Sequence, residues 1–298
     1  MMNKRNILTN ILKTFLFFMV LFFISCGKKS EDVSIEDTET INYVVDKIKE
    51  RAETEVLVCA HRAYHKFAPE NSLASIQQAI DEGIDIVEVD VNTTKDGILV
   101  LMHDNLIDRT TNAKGYLSDY TYLDLKKLYL KIGDSVTSHQ IPTLNEVLTL
   151  SRDKIILNLD IKRVDVNKLY QQLLVKKMQN DVFSFIWDKR KINKILQIDS
   201  TYAVLPIVSS SVDMMNYAQN IKSKLQHFDE NSFNQENLEW AKNNGILVFM
   251  NILWKPDENF IQNEPKQVDD IIALKPAIIQ TDHPKKVLAY LKSKNLHN

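Results

Sequence analysis

The sequence predicts an α/β fold, a (β/α)8 TIM barrel with a small insertion after the second strand. Two observations lead there. Eight short runs rich in β-branched residues, at 56–60, 86–91, 155–161, 183–187, 203–208, 225–228, 246–250 and 277–280, have the length and composition of buried strands. Between them apolar residues recur at helical spacing, as in Leu73/Ile76/Ile80, Leu144/Val147/Leu148, Ile192/Ile195/Leu196 and Val287/Leu288/Leu291. Strands separated by helices pair in parallel, because a parallel crossover needs about a dozen residues, and eight of them close into a barrel. Composition agrees: 298 residues, 44% hydrophobic, with six Gly and seven Pro, can fill one large core and give no reason to expect disorder.

Taken from the N-terminus, residues 1–25 stand apart. Lys4, Arg5 and Lys13 accompany an almost unbroken apolar run over 15–24, too short to span a bilayer and suited to a secretory signal. Ser25-Cys26 followed by Gly27-Lys28-Lys29-Ser30 resembles a bacterial lipoprotein signal, in which Cys26 is lipidated and becomes the new N-terminus; an uncleaved signal anchor is the alternative. On this reading residues 26–40, short and acidic, form a flexible tether, and 41–298 form the barrel domain. The protein is then expected in the cell envelope, held to a membrane through its lipid. Losing the three basic residues of 1–25 takes the formal charge from −2 to −5, and no Lys/Arg cluster offers a nucleic-acid footprint. No obligate protein partner is evident. Cys26 and Cys59 are the only cysteines, so lipidation of Cys26 leaves no disulfide, and Cys59 in an apolar strand reads as a small hydrophobe rather than a nucleophile.

Ile41, Val44, Val45 and Ile48 open the domain as a helix covering one barrel end. The first two strands follow. The insertion, about 92–150, begins with Asp96-Gly97, a turn signal that makes 98–102 an added hairpin strand ending at His103. A polar stretch over 104–119 and a helical pattern at Leu123, Leu125 and Leu128 complete it, placed over the active face of the barrel. The weakest strand signal is the sixth, near His227.

Polar residues at strand C-termini face the mouth of such a barrel. His61 and Arg62 follow the first strand, Glu88 and Asp90 end the second, and Asp160 and Lys162 end the third, so six chemically capable groups converge. Glu88 and Asp90, two apart on a strand, share a face. Two adjacent carboxylates with Asp160 as a third suit a hard divalent cation, Ca2+ or Mg2+; a salt-bridge network with Arg62 and Lys162 is the alternative. His61 and His103 can trade protons near neutral pH, and Arg62 and Lys162 can hold phosphate oxygens. Asn71-Ser72 can cap the next helix, while Glu70 before it can fix Arg62 or the ion, or cap. His65, His139, His227 and His297 are taken as surface or structural.

These residues resemble the glycerophosphodiester phosphodiesterase family. The resemblance runs through "AHRAYHKFAPENSLASIQQAIDEGIDIVEVDVNTTKDGILVLMHDNLIDRTTNAKG" from Ala60 to Gly115, "ILNLDIK" from Ile156 to Lys162 and "IIQTDHP" from Ile278 to Pro284. It implies hydrolysis of a small glycerophosphodiester to glycerol 3-phosphate and an alcohol, with a divalent cation. His61 and His103 match the acid/base pair, Arg62 a phosphate contact, Glu88 and Asp90 the metal pair, and Lys162 the Lys that follows the third carboxylate. Asp160 stands where the family usually has Glu, one methylene longer, which suggests contact with the ion through water. Ala63 replaces a usual Gly, which matters if the backbone there takes positive φ. "VFMNILW" from Val248 to Trp254 matches the family only in part, leaving Asn251 and Trp254 as lining residues. A lysophospholipid substrate cleaved in a phospholipase D-type reaction, and an inactive surface binding lipoprotein, are the competing readings. A zinc amidohydrolase would end its first strand His-x-His, whereas this one ends His-Arg-Ala.

Overall fold

In the computed structural model, which describes residues 43–298, alternate side chains of each strand divide between the barrel interior and a shell of helices. The barrel staves are β1 (Leu57–Ala60), β2 (Ile86–Thr93), β6 (Ile156–Ile161), β7 (Val182–Phe185), the pair β8 (Val204–Leu205) and β9 (Ile207–Val208), β10 (Leu225–Phe228), β11 (Leu247–Asn251) and β12 (Ile278–Thr281). All pair in parallel, in the order β8-β7-β6-β2-β1-β12-β11-β10-β9. β8 pairs with β7 and β9 with β10. The expected fifth strand is therefore one stave interrupted at Pro206, which has no N–H to give to a ladder. The carbonyl of Pro206 is still used, accepting the His227 N–H at 3.0 Å.

Among the described residues, nine helices lie on the far side of the strands or after them: α2 (Leu73–Asp81), α4 (Leu144–Ser151), α5 (Val166–Lys176), α6 (Lys189–Ile198), α7 (Ser211–Asn220), α8 (Gln235–Asn243), the pair α9 (Lys255–Ile261) and α10 (Lys266–Ala273), and α11 (Pro284–Ser293), while α1 (Tyr43–Ala52) precedes β1 and α3 (Tyr122–Leu125) lies in the insertion. Val58, Ala60, Val87, Val89, Val91, Leu157 and Leu159 point outward and pack with Ile76, Ala79, Leu144, Val147, Leu148 and Leu169 of the helices. The opposite set, Leu57, Cys59, Ile86, Phe183, Leu205, Leu225, Phe249 and Ile278, fills the lower barrel, and Val44, Val45 and Ile48 of α1 join it from below. Ile48 is fully buried, so Ile48→Ala costs about 2–5 kcal/mol. The amphipathic helix read from Val44, Val45 and Ile48 is thus present, whereas Ile41, Cys26, the signal and the tether lie outside the described residues. Among the described residues no helix is long and apolar enough to cross a membrane.

The insertion differs from expectation in detail. β3 (Leu99–Leu101) pairs antiparallel with β2 through Thr93↔Leu99, and Gly97 takes φ +80° in the connecting turn. A hairpin of β4 (Lys131–Ile132) and β5 (Ser135–Val136), not foreseen, closes around Gly133-Asp134. The helix near Leu123 stops at Leu125, and Leu128 instead packs on a small separate core of Val100, Met102, Ile107, Leu117, Leu125, Leu130 and Ile141. α4, placed within the expected insertion, packs into the main shell as a barrel helix; Thr143 caps it and shares a capping box with Glu146. The fourth strand ends at Phe185, leaving Trp187 beyond it and exposed.

Candidate active site

Each polar group at the mouth continues the inward face of a strand. On β2, Ile86, Glu88 and Asp90 follow one another at spacing two, and in register beside them on β6 stand Ile156, Asn158 and Asp160. The layers change from apolar to acidic on going up the barrel. Ligand oxygens of Glu88, Asp90 and Asp160 all lie within 4.8 Å of one another, in buried surroundings. Asp160 thus joins the cluster despite its shorter side chain.

The charge balance of this cluster is uneven. Lys162 Nζ lies 2.5 Å from Asp160 Oδ2 and 3.0 Å from Asp90 Oδ1. Burial alone would lower Lys162, yet Asp90 and Asp160 raise it. Burial would raise Asp90 as well, but Lys162, His103, a hydrogen bond from Asn71 and Arg62 together hold it low. Burial and Asp90 push Asp160 up against the pull of Lys162. Glu88 makes no ion pair of this kind: burial, then Asp90 and Asp160, drive it well above the ordinary carboxylate range against the Arg62 N–H and the weaker pull of Lys162. Its Oε1 and Asp160 Oδ1 are buried without a hydrogen-bond partner, as are Asn158 Oδ1 and Asn251 Oδ1. Unpaired buried acceptors are costly. A hard cation would satisfy the two carboxylate oxygens and neutralise the excess charge, so the donor set fits such an ion.

The loop after β1 is bent onto this cluster. Arg62 and Ala63 take φ +52° and +62°, and their successive N–H groups reach Glu88, at Oε2 (2.7 Å) and at the backbone carbonyl (2.9 Å). The usual Gly at position 63 thus has a physical reason, since Ala is strained there. Asn71, expected as a helix cap, turns inward instead. Its Nδ2 donates to Asp90 Oδ2 (2.7 Å) while its Oδ1 accepts the Asp90 N–H (2.9 Å), and Ser72 with Ser75 caps α2 alone. Arg62 is not free to meet an anion outright: Nη1 donates to Glu70 Oε1 (3.1 Å) and Nε lies 3.8 Å from Asp90 Oδ2, unpartnered as a hydrogen-bond donor.

Two imidazoles border the same cavity, each backed by a carboxylate. His61 Nδ1 is 2.8 Å from Asp282 Oδ1, and His103 Nδ1 is 2.6 Å from Asp104 Oδ1. A carboxylate can only accept, so each Nδ1 donates and each Nε2 is the nitrogen left for other chemistry. Burial would raise Asp282, but His61 and then His65 and Arg62 bring it below its ordinary value. Asp282 is fixed in turn by Asp257, whose Oδ2 accepts its N–H (2.8 Å) and whose Oδ1 accepts from Thr281 (2.6 Å). Asp257 and the pairing role of Asp282 were not foreseen.

These groups share a cavity of about 210 Å3 lined by His61, Arg62, Glu88, Asp90, His103, Asn158, Asp160 and Lys162 on one side and by Phe185, Trp187, His227, Phe249, Asn251 and Trp254 on the other. Glu70 is not among the lining residues; its carboxylate is taken by two guanidiniums. Trp254 is exposed at the mouth with φ +63°. His227, read as a surface or structural residue, is not at the surface: it is buried between Phe185 and Phe249, with ring centroids 5.4 and 5.2 Å away, and lines the cavity. Burial lowers it to about 4, so it is neutral at pH 7. His65 Nδ1 donates to the backbone carbonyl of His61 (3.0 Å), and His297 pairs with Asp85 away from this cavity. Cys59 lies below, and burial followed by the charges of Glu88 and Asp85 pushes its thiol well up, which removes it as a nucleophile.

Residues 61–286 match the pattern of the Glycerophosphoryl diester phosphodiesterase family. The glycerophosphodiester phosphodiesterase of Caldanaerobacter subterraneus subsp. tengcongensis is 45% identical over 109 residues, which are 36% of this chain and 45% of that protein, so the match spans about half the relative's length. A crystal structure of a glycerophosphoryl diester phosphodiesterase from Parabacteroides distasonis superposes with a TM-score of 0.75 at 23% identity, covering 84% of this chain and 92% of that one. An Oleispira antarctica phosphodiesterase, solved in complex with the product sn-glycerol-3-phosphate, gives 0.64 at 21% identity over 81% and 99% of the two chains. At these identities the structural matches speak for the barrel fold.

Proposed function

Since the chain belongs to the glycerophosphoryl diester phosphodiesterase family, we propose that it hydrolyses small glycerophosphodiesters to glycerol 3-phosphate and an alcohol, with a divalent cation. The observation that carries this reading is the meeting, in one cavity, of two Asp-backed imidazoles with three carboxylate oxygens within 4.8 Å. The product bound by the Oleispira antarctica relative belongs to the same chemistry.

Glu88, Asp90 and Asp160 would hold the ion, Ca2+ or Mg2+ by the preference of carboxylate oxygens for hard cations. When bound, it supplies charge neutralisation at a non-bridging phosphate oxygen. The remaining work falls to side chains. Arg62, with its unpartnered Nε, and Lys162 meet the other phosphate oxygens. One imidazole Nε2 accepts the proton of the nucleophile and the other, protonated, gives a proton to the leaving alkoxide; the nucleophile is water, or the substrate's own glycerol hydroxyl, which forms a cyclic phosphate that water then opens to glycerol 3-phosphate. Asp282 and Asp104 keep both rings in the tautomer this exchange requires. Asn251 and Trp254, with the aromatic wall, face the leaving group. Glycerophosphocholine turnover that is abolished by EDTA and lost in both His61→Ala and His103→Ala supports this reading. Activity indifferent to all three overturns it, and turnover of a lysophospholipid alone would transfer the reading to lipid substrates.

The sequence around Cys26 further supports an exported lipoprotein, with the barrel held at a membrane by a tether over 26–40. Incorporation of labelled fatty acid into the wild type, absent from Cys26→Ala, is the expected result.

A further inference from the structure

His103 and Arg62 reach the cavity from different parts of the chain. Arg62 follows a barrel strand, whereas His103 stands on the insertion, beyond β3, in a segment with its own small core. The backbone ties the two parts at Met102, whose N–H donates to the Asp90 carbonyl (3.0 Å). Beyond that point the side chain of His103 is aimed by Asp104, and Asp104 needs an anchor of its own.

A single guanidinium supplies it. Arg109 Nε donates to Asp104 Oδ2 (2.7 Å), while Nη1 and Nη2 grip Glu70 at Oε2 (2.6 Å) and Oε1 (2.8 Å). Glu70 Oε1 also accepts from Arg62 Nη1 (3.1 Å). The result is a continuous chain of ion pairs through Arg62, Glu70, Arg109 and Asp104 that ends in a hydrogen bond to the His103 ring. All three guanidinium nitrogens of Arg109 are engaged, a planar fork that no other side chain reproduces. The Arg109 side chain is 47% exposed, so these pairs contribute little to folding; what they fix is direction.

We propose that Arg109 is a positioning residue, one that aims His103 through Asp104 and Arg62 through Glu70, so that proton transfer and phosphate binding keep a common geometry across the cavity. It touches neither substrate nor ion. The kinetic part of this inference rests on the phosphodiester-hydrolysis reading above; the geometric part does not.

Two kinds of measurement test it. In protein labelled with 15N-histidine, the Nδ1–H of His103 held by Asp104 gives a downfield proton resonance, assigned by its loss in His103→Gln. In Arg109→Gln and Arg109→Lys that resonance is expected to move or broaden. With glycerophosphocholine as substrate, both variants should lose roughly 10- to 100-fold in kcat, the usual scale for a residue supporting a catalytic group, with Tm within a few degrees of the wild type. Arg109→Ala should regain part of its kcat on addition of guanidinium, and Glu70→Gln should raise KM more than it lowers kcat. Arg109→Gln with kcat and KM within twofold of wild type and an unmoved His103 resonance overturns the proposal. So does a loss of kcat matched by a large fall in Tm and not restored by guanidinium, which would make Arg109 a structural residue. A wild type with no phosphodiesterase activity would sink the functional reading, while the His103 resonance would still decide the positioning.

Discussion

Replacing Glu88 by Gln separates the charge of the acidic cluster from its shape. Two unit charges 4.8 Å apart, the outer limit of separation in the cluster, repel by about 3 kcal/mol at an effective dielectric of about 20. Lys162 engages Asp90 and Asp160 and makes no ion pair with Glu88. Gln keeps the acceptor for the Arg62 N–H and removes the charge, so in EDTA the variant is expected to be more stable than wild type, by up to about 3 kcal/mol or roughly 5–10 °C in Tm. Added Ca2+ or Mg2+ should reverse the order: wild type gains about 2.7 kcal/mol at a hundredfold excess over Kd, and the variant little. The sign of the pH dependence follows from the same crowding. Glu88 is raised by burial and by Asp90 and Asp160, so above the ordinary carboxylate range the native state holds a proton that the unfolded chain has lost. Wild-type stability in EDTA therefore falls as pH rises through that window, and its deficit against the variant widens. Thermal unfolding followed by circular dichroism, with EDTA and with each cation at two pH values, reads all of this. A variant less stable than wild type in EDTA at pH 8, or one with an undiminished cation response, would refute the reasoning.

Other expectations follow from neighbouring contacts. Asp282→Asn frees the His61 tautomer and should lower kcat by roughly 10²- to 10⁴-fold with little change in KM, measured by steady-state kinetics. Asp257, pushed up to about 6 by burial, keeps its proton in the native state between its ordinary value and about 6, so its contribution to stability is lost as pH rises through that range; Asp257→Asn should flatten this limb of urea midpoint against pH. Ala63→Gly relieves about 1–2 kcal/mol of left-handed strain but loses a buried methyl worth about 0.8 kcal/mol and adds unfolded-state entropy of about 0.4–1 kcal/mol. Its Tm should stay within about 3 °C of wild type, whereas Ala63→Val should fall well below it.

Much of this was legible because strands have a period of two. Glu88 and Asp90 could be placed on one inward face from their spacing, and Asp160 followed from the same rule on β6. His227 was legible by the same rule, two residues after the inward Leu225, and went unread because its strand signal was weak. Asn71 was misplaced for a different reason: an Asn before a helix is an ordinary cap, and only the left-handed backbone there, φ +54°, turns its amide to Asp90. Arg109 and Asp282 lie in loops, where no periodicity says which way a side chain points, and Asp257 stands in the first turn of the short helix α9. Their partners depend on how chain segments meet, which the third dimension alone decides. Pro206 was visible as a residue, but that its stave divides between two neighbours depends on barrel closure.

That interrupted stave divides the barrel into walls of different stiffness. Each half of it holds its neighbour through two register pairs, against six between β2 and β6, where the acidic cluster sits. The cavity residues nearest the break are Phe185, Leu205, His227 and Phe249, apolar or neutral groups with no charge to keep in place. Loosening at the seam would change the width of the cavity on that side more than the spacing of the carboxylates on the β2–β6 ladder. Backbone amides flanking Pro206 should exchange with solvent sooner than those of β2 and β6. Side chains beside one proline can thus be exchanged without disturbing the charges on the opposite wall.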